Sequence, residues 1–340
     1  MKKILIAFFL VLMIAAIAWV AYLLQNHKVE YIHNEGETQG TYYTATYFQP
    51  EGIDLKFKIE EKMHEFDLSL STYDSTSVIS RINRNDSTVR TNLFFETMFK
   101  EAQKVSEHTG GAFDITVGPL VKAWGFGFGN LEHANKPDIA GLLPLVGFRK
   151  VRLQNHRLLK ENPRILIDAN AIAQGYSSDI IAKLLEDNHC ENYMIEIGGE
   201  IVCKGLNPKG EKWRIGIDKP IDDSTNVSSE LQTIVSITNT ALTTSGNYRK
   251  FYYKDGKKYA HTIDPRTGYP VIHNLLSATV VAPTCIQADA YATAFMVLGV
   301  DSSMQVCKSI PNMDCYLIYT DKDGQNQVIY TEGFKKYLAN

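Results

Sequence analysis

The chain has 340 residues, of which 44% are apolar and 21% charged, with a formal net charge of -3. That length suits one large globular unit or two modest ones, and the composition is neither that of a disordered chain nor that of a repeat array. A near-neutral balance without a block of like charges excludes the basic face that nucleic acid requires, so no nucleic-acid partner is expected.

Met1-Lys2-Lys3 is followed by an unbroken apolar run from Ile4 to Leu24. About 20 such residues, rising 1.5 Å each, cross a hydrocarbon core roughly 30 Å thick. The run is longer than the apolar part of a usual secretion signal, no small-residue cleavage site follows closely, and no cysteine marks a lipid anchor. Residues 1–25 therefore read as a signal anchor, with a cleaved signal peptide as the alternative. Lys2 and Lys3 suit the cytoplasmic side, and Trp19 and Tyr22 the far interface. This predicts a single-pass protein of the inner membrane whose catalytic part lies on the periplasmic side. Residues 26–38 read as a polar stalk, and 39–340 as one globular unit.

Strand character begins at Tyr42 to Tyr47. Ile59, Met63, Phe66 and Leu70 recur at helical spacing, and a second helix is predicted from Phe94 to Glu107, closed by Gly110-Gly111. Lys150 to Ile167 reads as strands around a turn, Ala171 to Glu186 as a helix, and Tyr193 to Thr238 as strand-rich. Leu276 to Ala282 is a predicted strand, Ile286 to Leu298 a helix, and Cys315 to Tyr330 a hairpin around Asp321-Lys322-Asp323-Gly324. Many strands follow one another directly, which favours an α+β fold with mixed or antiparallel sheets over a doubly wound one. Neither a GxGxxG nor a phosphate-loop signature follows a strand. The five cysteines, Cys190, Cys203, Cys285, Cys307 and Cys315, lack CxxC spacing and read as small core residues.

Four segments carry more Gly, Asp, Ser and Thr than a core needs. Gly110 to Thr116 reads either as a helix cap or as backbone approaching a ligand, with Asp114 just beyond. Asp168 follows the apolar Ile165 to Ile167 and precedes a helix; such a junction suits a phosphate, unless Asp168 is only a cap. Gly175 in the first helical turns costs roughly 1 kcal/mol against Ala, which points to close backbone approach. Thr243-Thr244-Ser245-Gly246-Asn247-Tyr248-Arg249, with His261 to Gly268 shortly after, has loop composition, and His261 stands in the most polar context of the nine histidines. Asp289 and Thr293 are four apart on a predicted helix. They read as a partial oxygen cage for Mg²⁺, or as a residue favouring the helix dipole and a back-bonded threonine.

Taken in order, Leu70-Ser71-Thr72-Tyr73, Gly110 to Asp114, Asp168 to Tyr176, Ile197-Gly198-Gly199-Glu200, Thr244-Ser245-Gly246, His261 to Gly268 and Ala288 to Thr293 resemble the ApbE family of FAD:protein FMN transferases, from about Gln39 to Gly299. The resemblance implies a single catalytic unit that moves the FMN half of FAD onto a Thr or Ser hydroxyl of an exported flavoprotein subunit, releasing AMP. A pyrophosphatase yielding free FMN and AMP, or a non-catalytic flavin-binding module, are the alternatives. It implies Mg²⁺ held by Asp289, Thr293 and the Ala171 carbonyl. FAD would be lined by Tyr73, Ala112, Phe113, Asp114, Asp168, Gln174 and Ile263, with His261 assisting the chemistry and Asp264 a rival for that role. The sequence departs from the family's pattern where Gln39-Gly40-Thr41 replaces Met-Gly-Thr, where Asn170-Ala171 and Gln174 stand in place of Gly and Lys, and at Asn247 in place of Asp. The missing Lys weakens phosphate neutralisation.

Overall fold

A computed structural model describes residues 13, 19, 30–126, 137–220, 230–247, 251–254, 257–260 and 262–339. It opens with β1 (Ile32–Thr38) and β2 (Thr41–Phe48), paired antiparallel from Ile32 opposite Tyr47 to Thr38 opposite Thr41. Residues 32–38 are thus an edge strand and not part of a stalk. The reason is internal: buried Asn34 accepts from the Tyr47 hydroxyl at 2.8 Å and donates to Asp54 at 3.1 Å, so a strand of polar letters is tied inward by one side chain. The expected membrane-spanning helix of residues 1–25 lies outside the described residues, Met13 and Trp19 apart. Among the described residues no helix is long and apolar enough to cross a membrane.

Helices α1 (Lys56–Leu70), α2 (Val78–Asn83), α3 (Leu93–His108), α4 (Gly118–Ala123) and α5 (Ile139–Leu142) follow. Ile59, Met63, Phe66 and Leu70 are the buried stripe of α1, as their spacing predicts. Asn92 caps α3 by accepting from the Phe95 amide at 3.1 Å. Beyond its end Gly110 and Gly111 adopt φ of +59° and +82°, and the Gly111 amide reaches back to the Ser106 carbonyl at 2.8 Å. That is the left-handed closure which glycine tolerates best.

Next come a hairpin, β3 (Val151–Gln154) with β4 (Arg157–Lys160), and helix α6 (Ala173–Asp187). Ile165 to Ile167, read as a strand, has no ladder. Instead the Asn83 side chain accepts from the Ile167 amide at 2.7 Å and donates to its carbonyl at 2.9 Å, while the Ile115 carbonyl takes the Asp168 amide at 2.7 Å. Side chain and loop satisfy the backbone where a neighbouring strand would have done.

The remaining elements are β5 (Asn192–Ile197), β6 (Glu200–Lys204), β7 (Trp213–Asp218), β8 (Leu231–Ile237), β9 (Thr240–Gly246), β10 (Phe251–Lys254), β11 (Lys257–Ala260), β12 (Leu275–Ala282), α7 (Cys285–Leu298), α8 (Val300–Ser309), β13 (Asp314–Thr320) and β14 (Asn326–Tyr330). Eight strands form one antiparallel sheet in the order β1-β2-β5-β6-β9-β12-β13-β14. The pairs β3–β4, β7–β8 and β10–β11 are separate two-stranded hairpins. The α+β architecture with an antiparallel sheet and flanking helices agrees with the sequence reading.

Alternation along the strands sends Tyr43, Ala45, Ile195, Ala241, Ala278, Val280 and Leu317 toward the helices. Leu242, Val281, Tyr316 and Ile318 face the other side, where Trp213, Ile215, Val235 and Phe334 cover them. Thr243 to Gly246, read as a loop, belongs to β9 and pairs with β12 from Ala241 opposite Ala282 to Gly246 opposite Ser277. All five cysteines are free and buried, as expected.

Candidate active site

The site is built where the first turns of α6 meet α7. Gly175 donates its amide to Asp289 Oδ2 at 3.0 Å. A Cβ at Gly175 would stand 2.4 Å from the Cys285 carbonyl oxygen and 2.6 Å from the Asp289 Cβ, so only glycine allows the two helices to close. The close backbone approach expected there is real, and its partner is a helix. Asp179, on the same α6, accepts from the Cys285 amide at 2.8 Å and the Ile286 amide at 2.9 Å. It therefore caps α7 from a neighbouring helix, a role that nothing in the local pattern of α6 announces, since the carboxylate sits mid-helix after Ser177 and Ser178.

One turn beyond Asp289, the half-buried Thr293 places its hydroxyl 3.4 Å from Ser245 Oγ of β9. Thr243, two residues earlier on the same face of β9, is 3.6 Å from Cys285 Sγ. The hydroxyls that read as loop composition are the helix-facing side of a central strand. Small alanines of α7 (Ala288, Ala290, Ala292, Ala294), all buried, let that strand lie close. On the opposite face Thr244 Oγ1 meets Thr279 Oγ1 at 2.8 Å.

Asp289 is 5% exposed, and its carboxyl is pushed up to about 7 by burial, opposed by the Gly175 amide and reinforced by the charge of Asp179. Asp179 is likewise pushed up, by burial first, despite its two backbone donors. Two carboxyls that burial holds up together make a place that would favour a positive charge. A hard divalent cation at Asp289 would meet one carboxylate and the neutral oxygens of Thr293 and Ser245. Among the described residues no three His, Cys, Asp or Glu side chains cluster for a metal. A cation here would thus depend on oxygens from a bound phosphate, which is how Mg²⁺ is commonly held.

Ala171 lies two residues before α6 and is half-buried. The Gly175 amide, which a longer helix would have turned to the Ala171 carbonyl, goes to Asp289 instead. Gln174 extends the other way: its Nε2 lies 3.1 Å from the position of a Cβ at Gly198, as does Thr41 Cγ2. The turns at Gln39-Gly40 and Gly198-Gly199 thereby meet Gln174 at the start of α6. Tyr73 is 73% exposed in the loop after α1, while the adjacent Thr72 Oγ1 is buried with no hydrogen-bond partner among the described residues. That orphaned hydroxyl suits a ligand along Leu70 to Tyr73.

Other candidates are placed differently. Ala112, Phe113 and Asp114 are buried, and Asp114 is fully engaged: it accepts from the Thr116 amide and hydroxyl at 2.8 and 2.6 Å and from the Phe148 amide at 2.6 Å. Burial raises its carboxyl and those donors pull it back. A ligand passing here meets backbone, not that carboxylate. Half-buried Asp168 accepts from the Asn170 amide at 2.9 Å, and burial raises it. Its Cβ would stand 3.6 Å from a Cβ at Gly118, which ties it to the Asp114 loop. Ile263 is buried with Leu120, Trp124, Ile139 and Val146.

His261 lies outside the described residues. Its neighbour Thr262 donates to Asn247 Oδ1 at 2.6 Å, which anchors that part of the chain two residues from Ser245. Asp264, the rival base, spends both oxygens on Arg266, at 2.9 Å to Nε and 2.9 Å to Nη2.

A family model described as the ApbE family matches residues 39–317. The chain belongs to the ApbE family. Among curated proteins it is 35% identical to the FAD:protein FMN transferase of Vibrio cholerae over 92% of this chain and 91% of that one. It is 34% identical to the FAD:protein FMN transferase of Escherichia coli, over 93% and 92%. Among solved structures it resembles the flavin transferase ApbE from Vibrio cholerae, with a TM-score of 0.82, 35% identity, and coverage of 91% of this chain and 99% of that one. The ApbE protein of Thermotoga maritima superposes with a TM-score of 0.80 at 26% identity, over 92% and 100%. Like its relatives, this ApbE-family chain is an enzyme.

Proposed function

We propose that this enzyme transfers the FMN half of FAD onto a Thr or Ser hydroxyl of a partner flavoprotein, releasing AMP, with Mg²⁺ at Asp289. The observation that carries the reading is the constellation on α7: a buried carboxylate raised toward neutrality, a hydroxyl one turn on, and Ser245 beside it. Membership of the ApbE family supports the flavin substrate.

Bound Mg²⁺ would withdraw charge from the phosphoryl oxygens of FAD. The residues that would hold it are Asp289, Thr293 and the Ala171 carbonyl. Everything else falls to the chain. Gly175 fixes the Asp289 carboxylate by one amide bond, and Asp179 holds the first turn of α7. Tyr73 offers an exposed aromatic ring against which an isoalloxazine can stack. The acceptor oxygen bonds to the FMN-side phosphorus, the bond from that phosphorus to the bridging oxygen breaks, and AMP leaves with the bridging oxygen. The proton of the attacking hydroxyl goes to His261, because Asp264 is engaged with Arg266.

The same reading includes the anchor. The apolar run Ile4 to Leu24 supports a single-pass tether in the inner membrane with the enzyme on the periplasmic side. An exported catalytic unit suits an exported acceptor.

The test incubates the full chain with FAD and Mg²⁺, with and without a flavoprotein domain carrying an acceptor Thr. AMP release by chromatography together with in-gel flavin fluorescence on the acceptor, both abolished by EDTA, is the expected result. AMP with free FMN and an unlabelled acceptor would make the protein a pyrophosphatase. Tight FAD binding without AMP would leave a binding module.

A further inference from the structure

Strand β1 sets where the chain enters the fold. It runs from Ile32 to the turn at Gln39-Gly40, which lies by the start of α6, so it begins at the end of the sheet opposite the site. Six rises of roughly 3.3 Å along β1 separate the two ends by about 20 Å. The far end also collects the end of β6, the turn from β8 to β9, the end of β12 and the start of β13, because Cys203 stands opposite Thr240, Ala282 opposite Ala241 and Asp314 opposite Val281.

The entry point is tied to a cavity at this far end. The Tyr31 hydroxyl donates to the Leu206 carbonyl at 2.8 Å. One residue back, the Gly205 amide donates to Asn239 Oδ1 at 3.1 Å, and its carbonyl accepts from Thr238 Oγ1 at 2.5 Å. Thr238 and Asn239 belong to the wall of a cavity of about 490 Å³, to which Asn312, Tyr337, Lys212 and Lys336 also contribute. That volume suits a small polar group. Among the described residues the charged side chains of the wall are both cationic. Lys212 is exposed and makes no ion pair within the described residues. Lys336 shares its charge with Asp314, 3.1 Å away, and lies 4.6 Å from the centre of the Tyr337 ring, yet its side chain stays 60% exposed. Two ammonium groups beside neutral amide and hydroxyl donors make a site for phosphate oxygens.

We propose that this cavity binds the phosphate of an anionic phospholipid headgroup, in the bilayer that the chain's own anchor spans. The inference rests on the anchor proposed above. Gln25 to Tyr31 is seven residues, at most about 25 Å of chain. So short a tether holds the Tyr31 end against the lipid; to turn the site toward the bilayer it would have to run almost fully extended along the whole of β1. The site then opens away from the membrane, and the acceptor presents its hydroxyl clear of the lipid surface.

The experiment uses the full chain in vesicles containing phosphatidylglycerol and a headgroup-nitroxide lipid as quencher. All five native cysteines are buried, so a fluorophore attaches selectively at Pro311→Cys, next to the cavity wall, or at Lys322→Cys, in the β13–β14 turn at the site end. The Pro311 label should be quenched strongly and the Lys322 label weakly. In detergent, the Kd for short-chain phosphatidylglycerol, read from the Pro311 label, should rise roughly tenfold in the Lys212→Gln/Lys336→Gln variant, with AMP release unchanged as the check on folding. An unchanged Kd in a variant that still releases AMP overturns the cavity assignment alone. Inorganic phosphate binding as tightly as the lipid overturns it by making the cavity a site for free anions. Stronger quenching at Lys322 than at Pro311 overturns the orientation. Extraction of the wild-type chain from vesicles by alkaline carbonate overturns the anchor, and this inference with it.

Discussion

Gly175 donates its amide to Asp289 Oδ2 at 3.0 Å, and its α-carbon lies where an added methyl group would meet the Cys285 carbonyl at 2.4 Å. One residue thus sets both the separation of α6 from α7 and the orientation of the carboxylate. Gly175→Ala should cost about 1–3 kcal/mol through overpacking and displace Asp289. Chemical denaturation would show the loss, and turnover should fall further than the stability change explains. Wild-type stability in the variant would mean that the helices are not in contact at this point.

Asp289→Asn keeps an oxygen for the Gly175 amide and removes the charge. Mg²⁺-dependent AMP release should disappear while the circular dichroism spectrum is retained. Persisting activity would remove Asp289 from the metal assignment.

The pH behaviour follows from the same group. Burial pushes the Asp289 carboxyl up from 3.8 to about 7. An acid that holds its proton more tightly folded than unfolded contributes stability that is full below its unfolded value and is lost as pH rises through the folded one. In metal-free protein the stability difference between Asp289→Asn and wild type should therefore widen, in favour of the variant, from about pH 4 to about pH 7. Because a cation competes with that proton, Mg²⁺ should raise the wild-type melting temperature more at about pH 7.5 than at about pH 5. Calorimetry with and without Mg²⁺ reads both effects. A pH-independent difference would show that Asp289 is already ionised in the absence of metal.

Asp179→Ala would leave the Cys285 and Ile286 amides without their acceptor. The expected loss is about 2 kcal/mol, with Asp179→Asn losing less because an amide oxygen still accepts from one donor. Equal stability of the two variants would contradict a cap that uses both oxygens.

His261→Ala should slow transfer by about 100-fold while FAD still binds, since a general base contributes to the transition state and not to substrate affinity. Stopped-flow fluorescence gives the affinity, and AMP release the rate. Loss of FAD binding would make His261 a binding residue.

Helices α1, α3, α6 and α7 were legible, α1 through the buried stripe of Ile59, Met63, Phe66 and Leu70, whereas α2, α4, α5 and α8 were not read. The elements that misled were those whose backbone is satisfied by polar side chains. β1 reads as a stalk because its polar letters are tied inward by the buried Asn34, through Tyr47 and Asp54, and not by an apolar face. β9 reads as a loop because its helix-facing hydroxyls, Thr243 and Ser245, meet Cys285 and Thr293 of α7, a fit that no local period encodes. Ile165 to Ile167 looks like a strand and is held by Asn83 from 84 residues away. For the site, the pairing of Asp289 with Thr293 was visible in their spacing on one helix. Asp179 was not, because its partners lie 106 and 107 residues further along the chain. Resemblance to a family supplied what periodicity could not: which of the polar clusters belong together.

The tie between Asn247 and Thr262 also bears on how such an enzyme can change over evolutionary time. Closing the β10–β11 excursion at its root makes the length and lettering of the hairpin nearly independent of the sheet that carries it, since a loop whose ends are already joined adds little to the entropy of folding when it grows. Insertions, deletions and charge swaps there are buffered from the core, whereas the same changes in α6 or α7 would be lethal to packing. The excursion can then vary in sequence while the catalytic interior is inherited unaltered.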